Sequence, residues 1–183
     1  MSLTALLTAI ALVFSQTAEA PAEPQAPLEK LYDQLSAAES AAAANRLAGQ
    51  IRLVWTDSGS DTVNLLMDRA EAAMEADDAD RAARHLDDAL SLEPDFAEAW
   101  NRRAMLYLAD GEAAQALEAV NKALIADPKH FGALVGLGTI LERLNRNEAA
   151  YEAYGEALEI HPFHEEATTR RERLAPLVEG RAL

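Results

Sequence analysis

His85, His130, His161 and His164 are the side chains of this 183-residue sequence best able to ligate a metal or move a proton near neutral pH. His161-Pro162-Phe163-His164 lacks the i, i+4 spacing of a helical metal pair, and no third ligand accompanies it. With no cysteine in the chain, thiolate nucleophiles, Cys-ligated zinc, iron–sulfur clusters and disulfides are excluded. Asp77-Asp78-Ala79-Asp80 is the densest acidic run, but it lacks the glycine turn and terminal Glu of a calcium loop, so it reads as a solvated turn. No Ser-His-Asp order, phosphate-cradling glycine loop or zinc-hydrolase motif is present. Paired carboxylates fall on helical faces exposed to water, where nothing would raise a pKa for acid–base work. The expectation is a protein without catalytic residues, cofactor, metal or small-molecule substrate.

The elements that would position these residues are helices. Ala is the commonest residue, Leu and Glu are abundant, and β-branched and aromatic residues are too few for a sheet. The formal net charge is −15, and residues 61–96 hold eleven Asp or Glu against three Arg. Phosphate binding needs a basic stripe, so nucleic acid is not an expected partner. Arg170, Arg171 and Arg173, interleaved with Glu172, read as a solvated helix face. The acidic field can still steer a basic partner and keep the chain soluble.

Leu3 to Phe14 is an apolar run too short to span a bilayer comfortably, followed by small and polar residues through Ala20. Residues 1–22 therefore read as a signal peptide cut after Ala22, and the protein as periplasmic or otherwise exported. Contact with a membrane is expected only through this segment, should it stay uncleaved. Residues 23–27 read as a proline-rich spacer. Leu28, Leu31 and Leu35 then begin a helical period, and Ser36-Ala37-Ala38-Glu39 has capping-box spacing for a second helix running towards Trp55. Residues 28–60 thus form an expected helical hairpin, closed by the turn Asp57-Ser58-Gly59-Ser60-Asp61, where Ser60 or Asp61 can cap the next helix.

From Val63 the chain repeats. With Val63, Ala97 and Phe131 at position one, three segments (63–96, 97–130 and 131–164) align without gaps. Position four is Leu66, Trp100 and Leu134; position eight is Ala70, Ala104 and Gly138; position eleven is Ala73, Tyr107 and Leu141. Position twenty is Ala82, Ala116 and Ala150; position twenty-four is Leu86, Val120 and Tyr154; position twenty-seven is Ala89, Ala123 and Ala157; position thirty-two is Pro94, Pro128 and Pro162. Small residues at eight and twenty let two helices cross closely, and large residues at four, eleven and twenty-four fill the space around the crossing. Asp77, Gly111 and Asn145 at position fifteen tolerate the left-handed backbone of a turn. The prolines end the second helix of each repeat.

This pattern over residues 63–162 resembles the tetratricopeptide repeat family. The resemblance implies an all-α fold: an α-solenoid of three helix-turn-helix repeats, with the hairpin 28–60 capping one end and residues 165–183 forming a C-terminal capping helix and tail. Glu166, Arg170 and Arg173 are expected to face water. The family's first helices line a concave groove through positions two, five, nine and twelve. Those positions here are Asn64, Met67, Glu71 and Met74; Glu98, Asn101, Met105 and Leu108; then Gly132, Val135, Thr139 and Glu142, with Gly136 beside them. The methionines either form an adaptable groove floor or lie packed under a neighbouring helix. Gly132 and Gly136 either let a partner's backbone approach or accommodate a capping segment. A family variant grips chaperone tails through Lys, Asn and Arg. The corresponding positions here hold Met67, Glu71, Arg102, Gly132 and Gly136, so that clamp is absent.

The layout also resembles small exported repeat proteins of Gram-negative bacteria. The functional expectation is a protein–protein interaction scaffold or adaptor that takes a peptide or helix of an envelope protein in its groove. The alternative is a self-associating structural protein whose groove is filled by another copy.

Overall fold

The computed structural model describes residues 25–180; the signal-peptide reading of residues 1–22 lies outside them. The described residues form α1 (Gln25–Ser36), α2 (Ala41–Trp55), α3 (Asp61–Glu75), α4 (Ala79–Leu92), α5 (Ala97–Ala109), α6 (Ala113–Ala126), α7 (Phe131–Arg143), α8 (Asn147–Ile160) and α9 (Glu165–Glu179), with no strand among them. None of these helices is long and apolar enough to cross a membrane.

Each repeat is a pair of antiparallel helices: α3–α4, α5–α6 and α7–α8. The position-fifteen expectation holds. Asp77, Gly111 and Asn145 take φ of 55°, 82° and 58°. In every case the next amide reaches back to the carbonyl of the residue five earlier: Asp78 to Ala73, Glu112 to Tyr107 and Arg146 to Leu141. This closes the first helix of each pair with a Schellman motif. Ser60 caps α3 and Asp78 caps α4 through side-chain bonds to Val63 N and Arg81 N. The 34-residue spacing of His130 and His164 has a local cause: each Nδ1 accepts the amide three residues on, from Ala133 and Ala167, and so caps α7 and α9.

Packing follows the repeat. Ala70, Ala82, Ala104, Ala116 and Ala150 are fully buried at the crossings, and Leu86, Val120 and Tyr154 fill them. Gly138 is the tightest crossing: a Cβ there would lie 2.5 Å from the Tyr154 ring. Gly49 on α2 has nothing within 4 Å of the same position. Removing glycine from a helix gains about 0.5–1 kcal/mol when space allows, so Gly49→Ala is expected to stabilise by that amount. Gly138→Ala must displace an aromatic ring and is expected to destabilise by about 1–3 kcal/mol. Urea midpoints of the two variants should move in opposite directions; a common direction would show that propensity, not the ring, decides at Gly138.

Four expectations are corrected. α1 begins at Gln25, inside the expected spacer, because Pro27 sits in the first turn, where a missing N–H leaves no bond unmade. α2 starts at Ala41, not near Ser36: the Ser36 hydroxyl donates to Asp33 O at the end of α1, and Ser40 caps α2 by accepting from Ala43 N. The hairpin α1–α2 does form, but it does not cap the first repeat. It folds back on the third, where Tyr32, Leu35, Ile51 and Trp55 share a core with Phe131 of α7 and Ile160 of α8. Next along the chain, α9 covers α8 and buries Ala167 and Leu174 with Tyr154 and Ala157. Glu166 and Arg173 are exposed, but Arg170 is half-buried; both arginines bond Glu142 of α7, Arg170 at 3.3 Å, so this face is tied to the array and not merely solvated.

Candidate functional site

The first helices of the repeats are parallel neighbours, so residues at one repeat position line up along the array. Position five lies at the seam between successive first helices. Met67 is 2% exposed within a core that includes Ala99 and Leu106 of α5, and Val135 lies in the core with Ala167 and Leu174 of α9. These two are therefore packing residues and not groove floor. Asn64 is also turned to local use: its Oδ1 accepts from the Ser58 amide at 2.9 Å and hydroxyl at 2.8 Å, and its Nδ2 donates to Asp57 at 3.0 Å.

Gly136 is buried beneath Met105, whose Cε would stand 2.8 Å from an added Cβ. A Cβ added at Gly132 would lie 3.3 Å from the His130 ring and 3.7 Å from the Trp55 ring. Both glycines thus accommodate the chain's own side chains, and one of the two over Gly132, Trp55, comes from the hairpin. Thr139 bonds Val135 O at 3.0 Å and lies 3.2 Å from the Tyr154 hydroxyl, which donates to Glu142 at 2.7 Å. Burial, with the Glu142 charge, pushes Tyr154 up to about 12, so it is a fixed donor at ordinary pH.

What the fold does bring together is an ionic network centred on Arg102. Its Nε donates to Glu98 at 2.7 Å and its Nη1 to Glu71 at 3.2 Å. Glu98 also accepts from Asn101 Nδ2 at 3.1 Å and meets His130 Nε2 at 3.2 Å. His130 Nδ1 is occupied as the α7 cap, so Nε2 carries the proton towards Glu98. Burial alone would raise the Glu98 carboxyl; His130 and Arg102 outweigh it and hold the carboxyl below its ordinary value. Met74, Met105 and Leu108 are half-buried on the same helices. The arrangement offers anchored charge beside accessible sulfur and aliphatic surface. It offers no nucleophile paired with a base.

The hairpin supplies residues that repeat positions do not mark. Trp55 stacks on His130 at 3.6 Å between centroids, with planes 7° apart, and tilts against Phe131 at 4.6 Å. Its Nε1 donates to the Tyr32 hydroxyl at 2.8 Å and to Asp127 at 3.2 Å, and Tyr32 in turn donates to Asp127 at 2.5 Å. Burial, then the Asp127 charge, raises the Tyr32 pKa strongly, so the phenol stays protonated as a donor. Lys129 pairs with Glu29 outside this lock. The three aligned repeats carry no signal for this lock, because Tyr32 and Trp55 lie outside residues 63–164.

The other histidines are structural in their surroundings. His161 is 3% exposed and edge-on to Phe131 and His164, each at 5.2 Å between centroids. Among the described residues, no three His, Cys, Asp or Glu side chains converge to hold a metal.

The tetratricopeptide repeat family profile matches residues 67–131 and 104–165. A tetratricopeptide-repeat-containing protein of Rhizobium etli is 35% identical over 168 residues, covering 92% of this chain and 82% of its own. Among solved structures, the first tetratricopeptide domain of RPAP3 (Spaghetti), determined with the HSP90 peptide SRMEEVD, superposes with a TM-score of 0.63 at 20% identity over 66% of this chain and 95% of that one. The Sgt2 domain of Aspergillus fumigatus gives 0.62 at 24% identity over 67% and 83%. The profile, the relative and the geometry of the three helix pairs agree, and the chain belongs to the tetratricopeptide repeat family.

Proposed function

We propose that this chain is an exported, non-catalytic interaction module that holds a peptide or helix of an envelope protein against the first helices of its repeats. The observation that carries the reading is the half-exposed surface of Met74, Met105 and Leu108 on α3 and α5 beside the Glu71–Arg102–Glu98 network. Flexible apolar side chains beside charges already fixed in place suit recognition of a short segment, since little ordering remains to be done on binding. Export rests on the apolar run Leu3–Phe14 and the small residues after it. The RPAP3 domain was solved with an acidic peptide. A partner of that charge would meet Glu71 and Glu98 here, so the segment taken by this chain is neutral or basic.

The test is capture from envelope extract with the full chain and with a Glu71→Lys, Leu108→Glu variant whose fold is checked by circular dichroism. Gly136 is left unchanged because an added Cβ there would lie 2.8 Å from Met105 Cε and displace that side chain. The expected result is a protein retained by the wild type and lost from the folded variant, with the exported chain beginning at Glu23. Retention of the same proteins by both would remove the groove reading and favour self-association, which sedimentation would then show as a dimer or larger species.

A further inference from the structure

A second surface lies where the hairpin bridges the turns between repeats. A cleft of about 610 Å³ opens between α1–α2 and the turns 93–96 and 127–130. Its apolar side is built by Leu28, Val54, Trp55 and Phe96, with Leu92 at the edge, 55% exposed. A clean apolar cleft would suit many occupants, but this one is bordered by Glu29, Asp57, Glu93, Asp95, Glu98 and Asp127, and among the described residues no Lys, Arg or His lines it.

The state of those carboxylates decides what fits. Glu29 and Glu98 are already paired, with Lys129 and with Arg102 and His130. Asp127 is held by the neutral donors Tyr32 and Trp55. Asp57, Glu93 and Asp95 have no cationic partner among the described residues; Asp57 accepts only from Asn64 and the Gly59 amide. Three uncompensated negative charges therefore flank an aromatic and aliphatic wall. An acidic occupant is repelled, and a purely apolar one leaves the charges facing a drier cleft without partners.

We propose that this cleft binds a basic, amphipathic segment of a partner protein, with Lys or Arg side chains meeting Asp57, Glu93 and Asp95 and a bulky apolar residue seated against Leu92, Phe96 and Trp55. The volume falls within the roughly 300–1,000 Å³ of clefts that enclose drug-sized ligands, enough for a bulky side chain and its neighbours. The chain's charge of −15 draws such a segment in from a distance. The proposal rests on the interaction-module reading and specifies the charge and place of one contact.

The probe is a fluorescein-labelled synthetic peptide alternating Lys with Leu and Phe, compared with its Glu counterpart, followed by anisotropy on the full chain. The expected result is that the Lys peptide binds and the Glu peptide does not. Glu93→Lys with Asp95→Lys should weaken binding about tenfold or more. Glu152→Lys with Glu156→Lys, the same charge change on the exposed face of α8, should leave it within about twofold. Equal weakening by both pairs means diffuse charge attraction and overturns the cleft. So does absence of Lys-peptide binding, which leaves the groove reading to the capture experiment. Binding that survives Glu93→Lys with Asp95→Lys but is lost with Glu71→Lys, Leu108→Glu overturns the cleft while upholding the interaction module.

Discussion

Replacing Trp55 with Ala should release the N-terminal hairpin from an otherwise intact array. The indole is 8% exposed, stacked on His130, tilted on Phe131 and bonded to Tyr32 and Asp127. Truncating a buried aromatic of this kind costs about 3–5 kcal/mol. Here the loss falls on one interface, because the cores of the first two repeats contain no hairpin residue and the third joins the hairpin's core only through Phe131 and Ile160. Hydrogen exchange should accelerate by about a hundredfold or more in α1 and α2, while α3–α6 keep their protection. Trp55→Phe keeps most of the apolar contact and loses two hydrogen bonds, so it should cost about 1–2 kcal/mol. If Trp55→Ala instead accelerates exchange equally in α3–α6, the hairpin and the array fold as one cooperative unit, and the docked-hairpin description is wrong.

That distinction also marks where the sequence could be read and where it could not. Within the array every contact is a local one repeated at fixed spacing, so Gly138 against Tyr154 follows from a small residue at position eight and a large one at twenty-four. The turn at Asp77, Gly111 and Asn145 follows in the same way from residue types that accept positive φ. The hairpin obeys no such period. Tyr32 and Asp127 are 95 residues apart, and nothing in either local pattern announces the pair.

The candidate groove shows the same division. Periodicity places Glu71 on α3 and Glu98, Asn101, Met105 and Leu108 on α5. It could not tell which of these faces the opening and which faces the next helix, since that depends on the angle between neighbouring pairs. Position five turned out to be seam, which removes Met67 and Val135 from reach. Arg102, one residue further along, became the centre of the ionic network, although the family comparison had noted it only as the absence of a clamp residue.

Acidification should loosen the hairpin from a different side. His161 lies beneath α2 and is pushed down to about 4, first by burial and then by the charges of His164 and Arg52. His164 is lowered too, chiefly by burial and Arg52, with Glu166 opposing; Glu165 borders the same pocket. Above the ordinary histidine value of about 6.5, both folded and unfolded chains carry neutral imidazoles, and the full stability is present. As pH falls from about 6.5 to 4, the unfolded chain takes up a proton that folded His161 refuses, so stability declines by about 1.4 kcal/mol per unit. The decline from this group ends near 4, after a total of roughly 3 kcal/mol. His161→Gln abolishes the proton uptake, so its urea midpoint should fall less steeply than that of the wild type between pH 6.5 and 4.5. Glu98, whose pKa is lowered by His130 and Arg102, loses its contribution only as pH falls below the carboxylate range, and it does so in both proteins. Parallel pH profiles would mean that folded His161 accepts its proton as readily as the unfolded chain, which would place it in contact with water and not under the hairpin.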